Sequence, residues 1–448
     1  MDTTELYAIF LKYPAITTDS RNCPEGSIFF ALKGDKFDGN DYIEQALYNG
    51  AAFAVGDRAG LPKDTRIIQV DNVLQSLQNL ANYHRKQLNT KVIAITGTNG
   101  KTTTKELIAA VLSTQYPVLF TQGNLNNHIG VPLTLLRLKP EHHFAVIEMG
   151  ANHPGEIREL CCIAEPDFGL ITNVGKAHLE GFGSFEGVVR TKVELYDYIR
   201  EKKGLLFVNI DNPILKKHSE NTNTIYYGTS PEAFVRGQVT ASESCLEMEY
   251  HLSPQGDETG LPPSPCGEGQ GVRCHSIKTQ LVGSYNFENV LATICMGLYC
   301  GIEADKLNKA ITDYTPDNNR SQSLKTKRNR LIIDSYNANP SSMQVALDNF
   351  FNLKVSPKMA IVGEMKELGE YSLDEHQKLV DCLRKNAIDK VILCGEHFRN
   401  TRSIPPAWNS FLHTQELLDF LQSEAFSGYH ILIKGSRANQ LEKTIEYL

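Results

Sequence analysis

The sequence lacks most of the features that would place it in a specialised class. It has a single tryptophan, and no apolar run approaches the roughly 20 residues needed to cross a bilayer. The stretch 6–11 is short and has neither a basic leader nor a small-residue cleavage site, so no signal peptide is expected. No block of lysine and arginine occurs, and 45 basic against 52 acidic residues leave a net charge of −7. Nucleic acid is therefore not an expected partner, because binding a phosphate backbone needs clustered cations. The ten cysteines include no CxxC pair, and Cys161, Cys162, Cys295, Cys300, Cys382 and Cys394 sit in apolar segments like small core residues. Cys266, Cys274 and His275 fall close together in an expected loop, but zinc would need a fourth ligand and tighter spacing. GxGxxG is missing, which argues against a dinucleotide site. The expectation is a monomeric cytoplasmic protein with reduced thiols and no membrane partner.

What is present is enough for several cores. At 448 residues, with 41% hydrophobic and 22% charged residues, the chain should divide into two to four globular domains. Its most informative stretch is Val92-Ile93-Ala94-Ile95-Thr96 followed by Gly97-Thr98-Asn99-Gly100-Lys101-Thr102-Thr103. The first five residues suit a buried parallel strand, and Leu107, Ile108, Val111 and Leu112 recur at helical spacing. A strand thus enters a helix through a glycine turn. Such a turn lets backbone N–H groups and the positive helix end meet a polyphosphate, with Lys101 reaching the terminal phosphates and the Thr102 hydroxyl available to Mg²⁺. The full P-loop would have glycine where Ile95 stands, so the match is to the shorter GxxGKT core. An ordinary strand-turn-helix corner would not require strand, glycines, Lys-Thr and helix to coincide.

In chain order, 27–32, 52–55 and 66–70 read as strands and 42–48 and 73–85 as helices, making a small α/β domain over 1–88. Two polar stretches in it, 18–21 and 33–41, read on spacing alone as turns. A second domain over 89–315 holds the phosphate loop and strands at 144–147, 168–171 and 205–210. Ligands of parallel sheets lie beyond the carboxyl ends of the strands, so Glu148 and His178 fall on the nucleotide's side. Glu148 offers Mg²⁺ a hard oxygen. The Gly/Pro/Ser-rich segment 254–271 is aperiodic and is expected to be a dispensable excursion. A strand at 277–281 and a helix over 283–301 follow, and a linker over 312–319 puts a boundary near Pro316. The third domain, 316–448, alternates strands at 331–333, 359–362, 391–393 and 429–433 with helices, as in a doubly wound, Rossmann-like sheet. In Asp334-Ser335-Tyr336-Asn337-Ala338-Asn339-Pro340, Asn339 reads as a helix cap and Pro340 as the first helical residue.

These stretches resemble the Mur ligases over nearly the whole length. The resemblance is carried by Thr18-Asp19-Ser20-Arg21 with 29–34, by 97–103, by Gly123-Asn124-Leu125-Asn126-Asn127-His128 and by Glu148-Met149-Gly150. It continues through 172–180, 334–340 and Lys434-Gly435-Ser436-Arg437. It implies an α/β protein of three domains: one binding a UDP-linked substrate, a central P-loop ATPase with a parallel sheet, and a C-terminal Rossmann-like domain meeting the acyl acceptor. The UDP moiety would be met by Ser20, Arg21, Ala31 and Leu32, which reverses the turn-only reading there, and the rest of that substrate by Asn124, Asn126 and Asn127. ATP would be held by Gly97, Thr98, Asn99, Gly100, Lys101, Thr102 and Thr103, with Asn286 and Asn289 at adenine and Arg320 and Asp334 contributed around the linker and third domain. Tyr336, Asn337, Lys434, Ser436 and Arg437 would meet the acceptor. Two Mg²⁺ ions are implied, one at Thr102 and a second at Glu148, His178 and Lys192, the lysine carrying carbon dioxide as a carbamate.

Departures exist: Tyr285-Asn286 stands for the family's His-Asn, and Asn319-Arg320 for its Gly-Arg. A sister ligase that adds the third peptide residue carries Asp-Asn-Pro-Arg in its last domain. Here the only Asp-Asn-Pro is Asp211-Asn212-Pro213, in the central segment and followed by Ile214. The resemblance therefore implies the branch that adds D-alanyl-D-alanine to UDP-N-acetylmuramoyl-tripeptide. A sister ligase, a folylpolyglutamate synthase or a nucleotide-driven switch stay open at this point.

Overall fold

The computed structural model describes residues 1–242, 245–252, 274–316 and 319–448. The expected excursion at 254–271, and Cys266 with it, lies outside them. The chain forms two compact units, one of 1–95, 116–151 and 155–169, the other of 96–115, 152–154 and 170–448.

In the first unit a four-stranded sheet runs in the order Ile16–Thr17, Ser27–Phe30, Ala51–Gly56, Ile67–Gln69, every pair parallel. Ser27–Phe30 is buried at all four positions, as a central parallel strand covered on both faces must be. Its expected extension to residue 32 ends early because Leu32 and Gly39 join a tight turn instead: Gly39 N–H donates to Leu32 O at 2.9 Å. A Cβ on Gly39 would sit 2.4 Å from that oxygen, so only glycine fits. The stretch 33–41 is more than a turn, since Lys33–Gly34 and Phe37–Asp38 pair as a small antiparallel ribbon. The helix Val73–Lys86 starts on Asn72, whose side chain accepts from Gln75 N–H. The same unit contains Lys91–Thr96, Phe144–Glu148 and Val118–Phe120 as parallel neighbours in that order.

The second unit carries Leu205–Asn209, Asn223–Gly228 and Val235–Ala241 in parallel, then Glu247–Leu252 and Cys274–Lys278 antiparallel. The last strand begins earlier than expected. Cys274 and His275 are therefore strand residues facing His251 and Tyr250, not a loop pair, and no metal-binding cluster occurs among the described residues. The expected helix from 283 begins as a short 3₁₀ turn, Ser284–Asn286, and becomes α-helical over Phe287–Tyr299. A six-stranded sheet follows, ordered Gln322–Lys325, Arg330–Asp334, His430–Lys434, Lys358–Gly363, Lys390–Cys394, Asn409–Phe411, with only the first pair antiparallel. This is the doubly wound arrangement. One face packs Met343, Leu347 and Phe350 with Leu379 and Leu383, and the other packs Leu417, Leu421 and Leu441. Each such side chain contributes about 1.5–3 kcal/mol by burial. No helix among the described residues is long and apolar enough to cross a membrane.

Candidate active site

The phosphate loop joins the strand Lys91–Thr96 to the helix Lys101–Leu112. Gly97 has φ of +144° and Gly100 of +78°, and a Cβ on Gly97 would meet Thr172 Oγ1 at 2.0 Å. Glycine is required at both places, by backbone conformation and by lack of room. The loop is held from below: Thr98 N–H donates to Asn173 O at 2.9 Å, Asn99 N–H to Asn173 Oδ1 at 3.0 Å, and Thr172 Oγ1–H to Asn99 O at 2.6 Å. Lys101 is not a free solvated charge. Its ammonium donates to Gly97 O at 2.7 Å and Thr98 O at 3.1 Å, folded back over the loop that it would leave for a polyphosphate. Thr102 and Thr103 are buried in the first helical turn.

Asn286 and Asn289 stand behind this loop. Asn289 Nδ2 donates to Asn286 Oδ1 at 3.0 Å, Asn289 Oδ1 accepts from Thr104 Oγ1 at 3.1 Å, and Asn286 Nδ2 donates to Val282 O at 2.9 Å. A Cβ on Gly100 would lie 2.4 Å from Asn289 Oδ1. Both side chains are buried and support the turn at Gly100.

His178 has φ of +49°, a left-handed conformation that costs a non-glycine residue free energy and clusters at functional positions. Its Nδ1 pairs with Glu367 of the third domain, a contact that holds the Glu367 carboxyl below its usual range. The imidazole also meets Phe182 edge-on with ring centres 6.2 Å apart, and Lys192 Nζ lies 5.4 Å from the centre of that same ring. The structure thus brings His178 and Lys192 to one aromatic side chain. Lys192 lies within the helix Phe185–Glu201, well past its start, and is 2% exposed.

In the first unit Glu148 ends its strand buried, its backbone N–H donating to Thr121 Oγ1 at 3.0 Å and its Oε1 accepting from Asn126 Nδ2 at 2.8 Å. Asn127 is exposed, its Oδ1 accepting from the N–H groups of Ile129 and Gly130. Asn124 O accepts from Asn126 N–H at 2.8 Å. Ser20 and Arg21 follow one strand, and Ala31 and Leu32 follow its parallel neighbour, so all four lie at the carboxyl edge of the small sheet. Ser20 Oγ donates to Gln45 Oε1 at 3.4 Å. Arg21 is exposed, and its hydrogen bonds to Asp19 draw that carboxyl down to about 2.

In the third domain Asp334 and Lys434 end adjacent strands in register. Lys434 is fully buried, its Nζ 2.9 Å from Asp334 Oδ2 and donating to Asn337 O at 2.8 Å. Its ammonium thus braces the loop that carries Tyr336 and Asn337. Ser436 donates to Asn439 Oδ1 at 2.7 Å. Tyr336 carries the Arg320 guanidinium 3.9 Å from its ring centre and that of Arg437 at 5.4 Å. Arg320 lies between two residues with positive φ, Asn319 and Ser321. No local pattern marks Glu367 for a role, and in the sequence Asn339 is legible only as a cap. Asp211-Asn212-Pro213 is a helix start, with Asn212 Oδ1 accepting from the N–H groups of Ile214 and Leu215.

Three family models match: the Mur ligase family, catalytic domain, over 12–87, the Mur ligase middle domain over 95–297, and the Mur ligase, glutamate ligase domain over 319–437. The UDP-N-acetylmuramoyl-tripeptide–D-alanyl-D-alanine ligase of Bacillus subtilis is 33% identical, with 97% of this chain and 92% of the relative covered. A crystal structure of MurF from Acinetobacter baumannii superposes with a TM-score of 0.83 at 30% identity, covering 96% and 92% of the two chains. MurF ligase from Thermotoga maritima in complex with ADP gives 0.83 at 27%, covering 98% and 97%.

Proposed function

The chain belongs to the Mur ligase family, and on that premise we propose that it is an ATP-dependent ligase joining D-alanyl-D-alanine to UDP-N-acetylmuramoyl-tripeptide, a cytoplasmic step of peptidoglycan precursor synthesis. The observation that carries this is the full-length identity to a relative of that activity, together with a phosphate loop built for a nucleotide. We assign 1–88 to the UDP moiety, 89–315 to ATP and 316–448 to the dipeptide, in a monomer without a membrane partner.

In the proposed reaction the terminal carboxylate of the tripeptide attacks the γ-phosphorus of ATP. The P–O bond to ADP breaks, and an acyl phosphate forms. The dipeptide amine then attacks the acyl carbon, loses its proton and expels phosphate. Lys101 and the N–H groups of the glycine loop neutralise the charge that moves onto the leaving oxygen. The donor chemistry suits a hard cation, since Glu148 presents a buried carboxylate and Thr102 a hydroxyl. One Mg²⁺ at Thr102, and a second ion at Glu148, His178 and Lys192, would supply further charge neutralisation. A buried ammonium at Lys192 would be repelled by a dication, whereas its carbamate would supply two anionic oxygens. Lys192→Ala should therefore lose acyl phosphate formation and recover part of it in acetate, and ¹³C-labelled carbon dioxide should give a carbamate resonance in the unsubstituted protein only. Recovery that ignores acetate would count against the adduct.

Oxygen transfer tests the chemistry. Tripeptide labelled with ¹⁸O in its terminal carboxylate should deliver one labelled oxygen to the phosphate released. Unlabelled phosphate would rule out the acyl phosphate.

A further inference from the structure

The first turn of the helix Pro340–Asn352 reaches back onto the phosphate loop from the third domain. Asn339 caps that helix: its Oδ1 accepts from Ser342 N–H at 2.8 Å, and its own N–H donates to Ser342 Oγ at 3.1 Å. An asparagine cap retains an amide NH₂ that a serine cap lacks. Here Nδ2 donates to Asn99 Oδ1 at 2.9 Å, in the middle of the phosphate loop and 240 residues away in sequence. Asn99 is fixed on its other side by Asn173 and Thr172, so one loop residue is held both by its own domain and by the third. A second contact runs beside it. Ser341 Oγ accepts from Lys176 N–H at 2.8 Å, and a Cβ on Gly175 would lie 2.6 Å from that oxygen. Gly175 in turn exchanges hydrogen bonds with Thr98, N–H to Oγ1 at 2.9 Å and Oγ1–H to O at 3.2 Å.

We propose that Asn339 is a positioning residue with two separable jobs, capping its helix through Oδ1 and registering the third domain on the phosphate loop through Nδ2. The loop Asp334–Asn337 immediately precedes Asn339, so this bridge sets where the groups that would meet the acceptor stand relative to the γ-phosphate. This rests on the ligase function proposed above. A misplacement of about 1 Å at such a site can cost roughly 10²-fold in rate.

Asn339→Ser separates the two jobs, because serine caps a helix about as well as asparagine but is too short to bridge. In the full-length protein it should leave the melting temperature unchanged and the Kd for ADP within about twofold, while lowering amide-forming kcat roughly tenfold or more. ADP should then exceed amide, because acyl phosphate not met by the amine is lost to water. Amide exchange at 97–103 needs no substrate, and it should rise in Asn339→Ser. Wild-type kcat and coupling in Asn339→Ser, a fall in its melting temperature that accounts for the loss, or unchanged exchange in the loop would each overturn the proposal. If the unsubstituted protein makes no amide while exchange still rises in Asn339→Ser, the ligase function fails and the bridge stands.

Discussion

Lys101 holds its own loop in the structure, and the proposed function gives it a second, catalytic task once a nucleotide is bound. Its ammonium donates to Gly97 O and Thr98 O, and each of those bonds contributes on the order of 1 kcal/mol. Lys101→Met should therefore cost little stability, yet lower ADP formation by roughly 10²–10³-fold or more, because a positioned positive charge is lost from the leaving oxygen. Thermal melting and ADP release check this, and near-normal turnover would remove Lys101 from the mechanism. Arg21 behaves differently. It is exposed and, among the described residues, pairs with Asp19 alone, so Arg21→Ala should be nearly silent in stability. Losing a charged hydrogen bond to the UDP-linked substrate should raise its KM roughly tenfold while that for ATP stays put. An equal rise in both would contradict the role given to the first 88 residues.

At the scale of elements, what the sequence made legible was whatever obeys a local rule. The strand-glycine-helix junction at 92–112, the Asn339-Pro340 helix start and the four buried parallel strands of the last domain all follow from periodicity and cap chemistry. The burial of Lys192 inside Phe185–Glu201 follows from packing and not from any local pattern, since lysine is mostly an exposed residue. The strand at 274–278 was read late because its pairing with Glu247–Leu252, not its own composition, sets its start. His84 belongs to the same non-local class. It is buried in Val73–Lys86, with Nδ1 3.2 Å from Tyr7 Oη and Nε2 3.0 Å from Leu138 O, tying three segments of the first unit together. Desolvation depresses its pKa below the ordinary 6.5, so the folded protein keeps it neutral while the unfolded chain protonates. His376, buried in the third domain, is shifted the same way chiefly by desolvation. The stability these groups contribute is present above about pH 6.5 and is lost as pH falls through their folded values. Melting temperature should drop between pH 7 and 5, and His84→Gln should flatten that drop. Superposable pH curves for the two proteins would refute the assignment.

At the scale of the whole molecule, the site was legible as a set of strand ends but not as an assembly. Glu148, Asp334 and Lys434 could be placed at carboxyl ends of strands because parallel sheets collect ligands there. The contacts of Asn339 with Asn99 and of Glu367 with His178 join residues far apart in the chain, and no local pattern announces them. Lys434 was expected to face substrate, whereas its burial against Asp334 gives it the bracing role that a lone Lys-Gly-Ser-Arg motif does not disclose. These long-range contacts hold the third domain on the nucleotide side of the second unit, as an enzyme must that keeps water from an acyl phosphate. The most direct test of the account is the stoichiometry of products when ATP and UDP-N-acetylmuramoyl-tripeptide are supplied with and without D-alanyl-D-alanine, read as ADP and as the mass of the ligated peptide. The protein should make one amide per ADP with the dipeptide present and almost no sustained ADP without it. ADP release that is indifferent to the dipeptide, or amide formed with a single amino acid in its place, would contradict it.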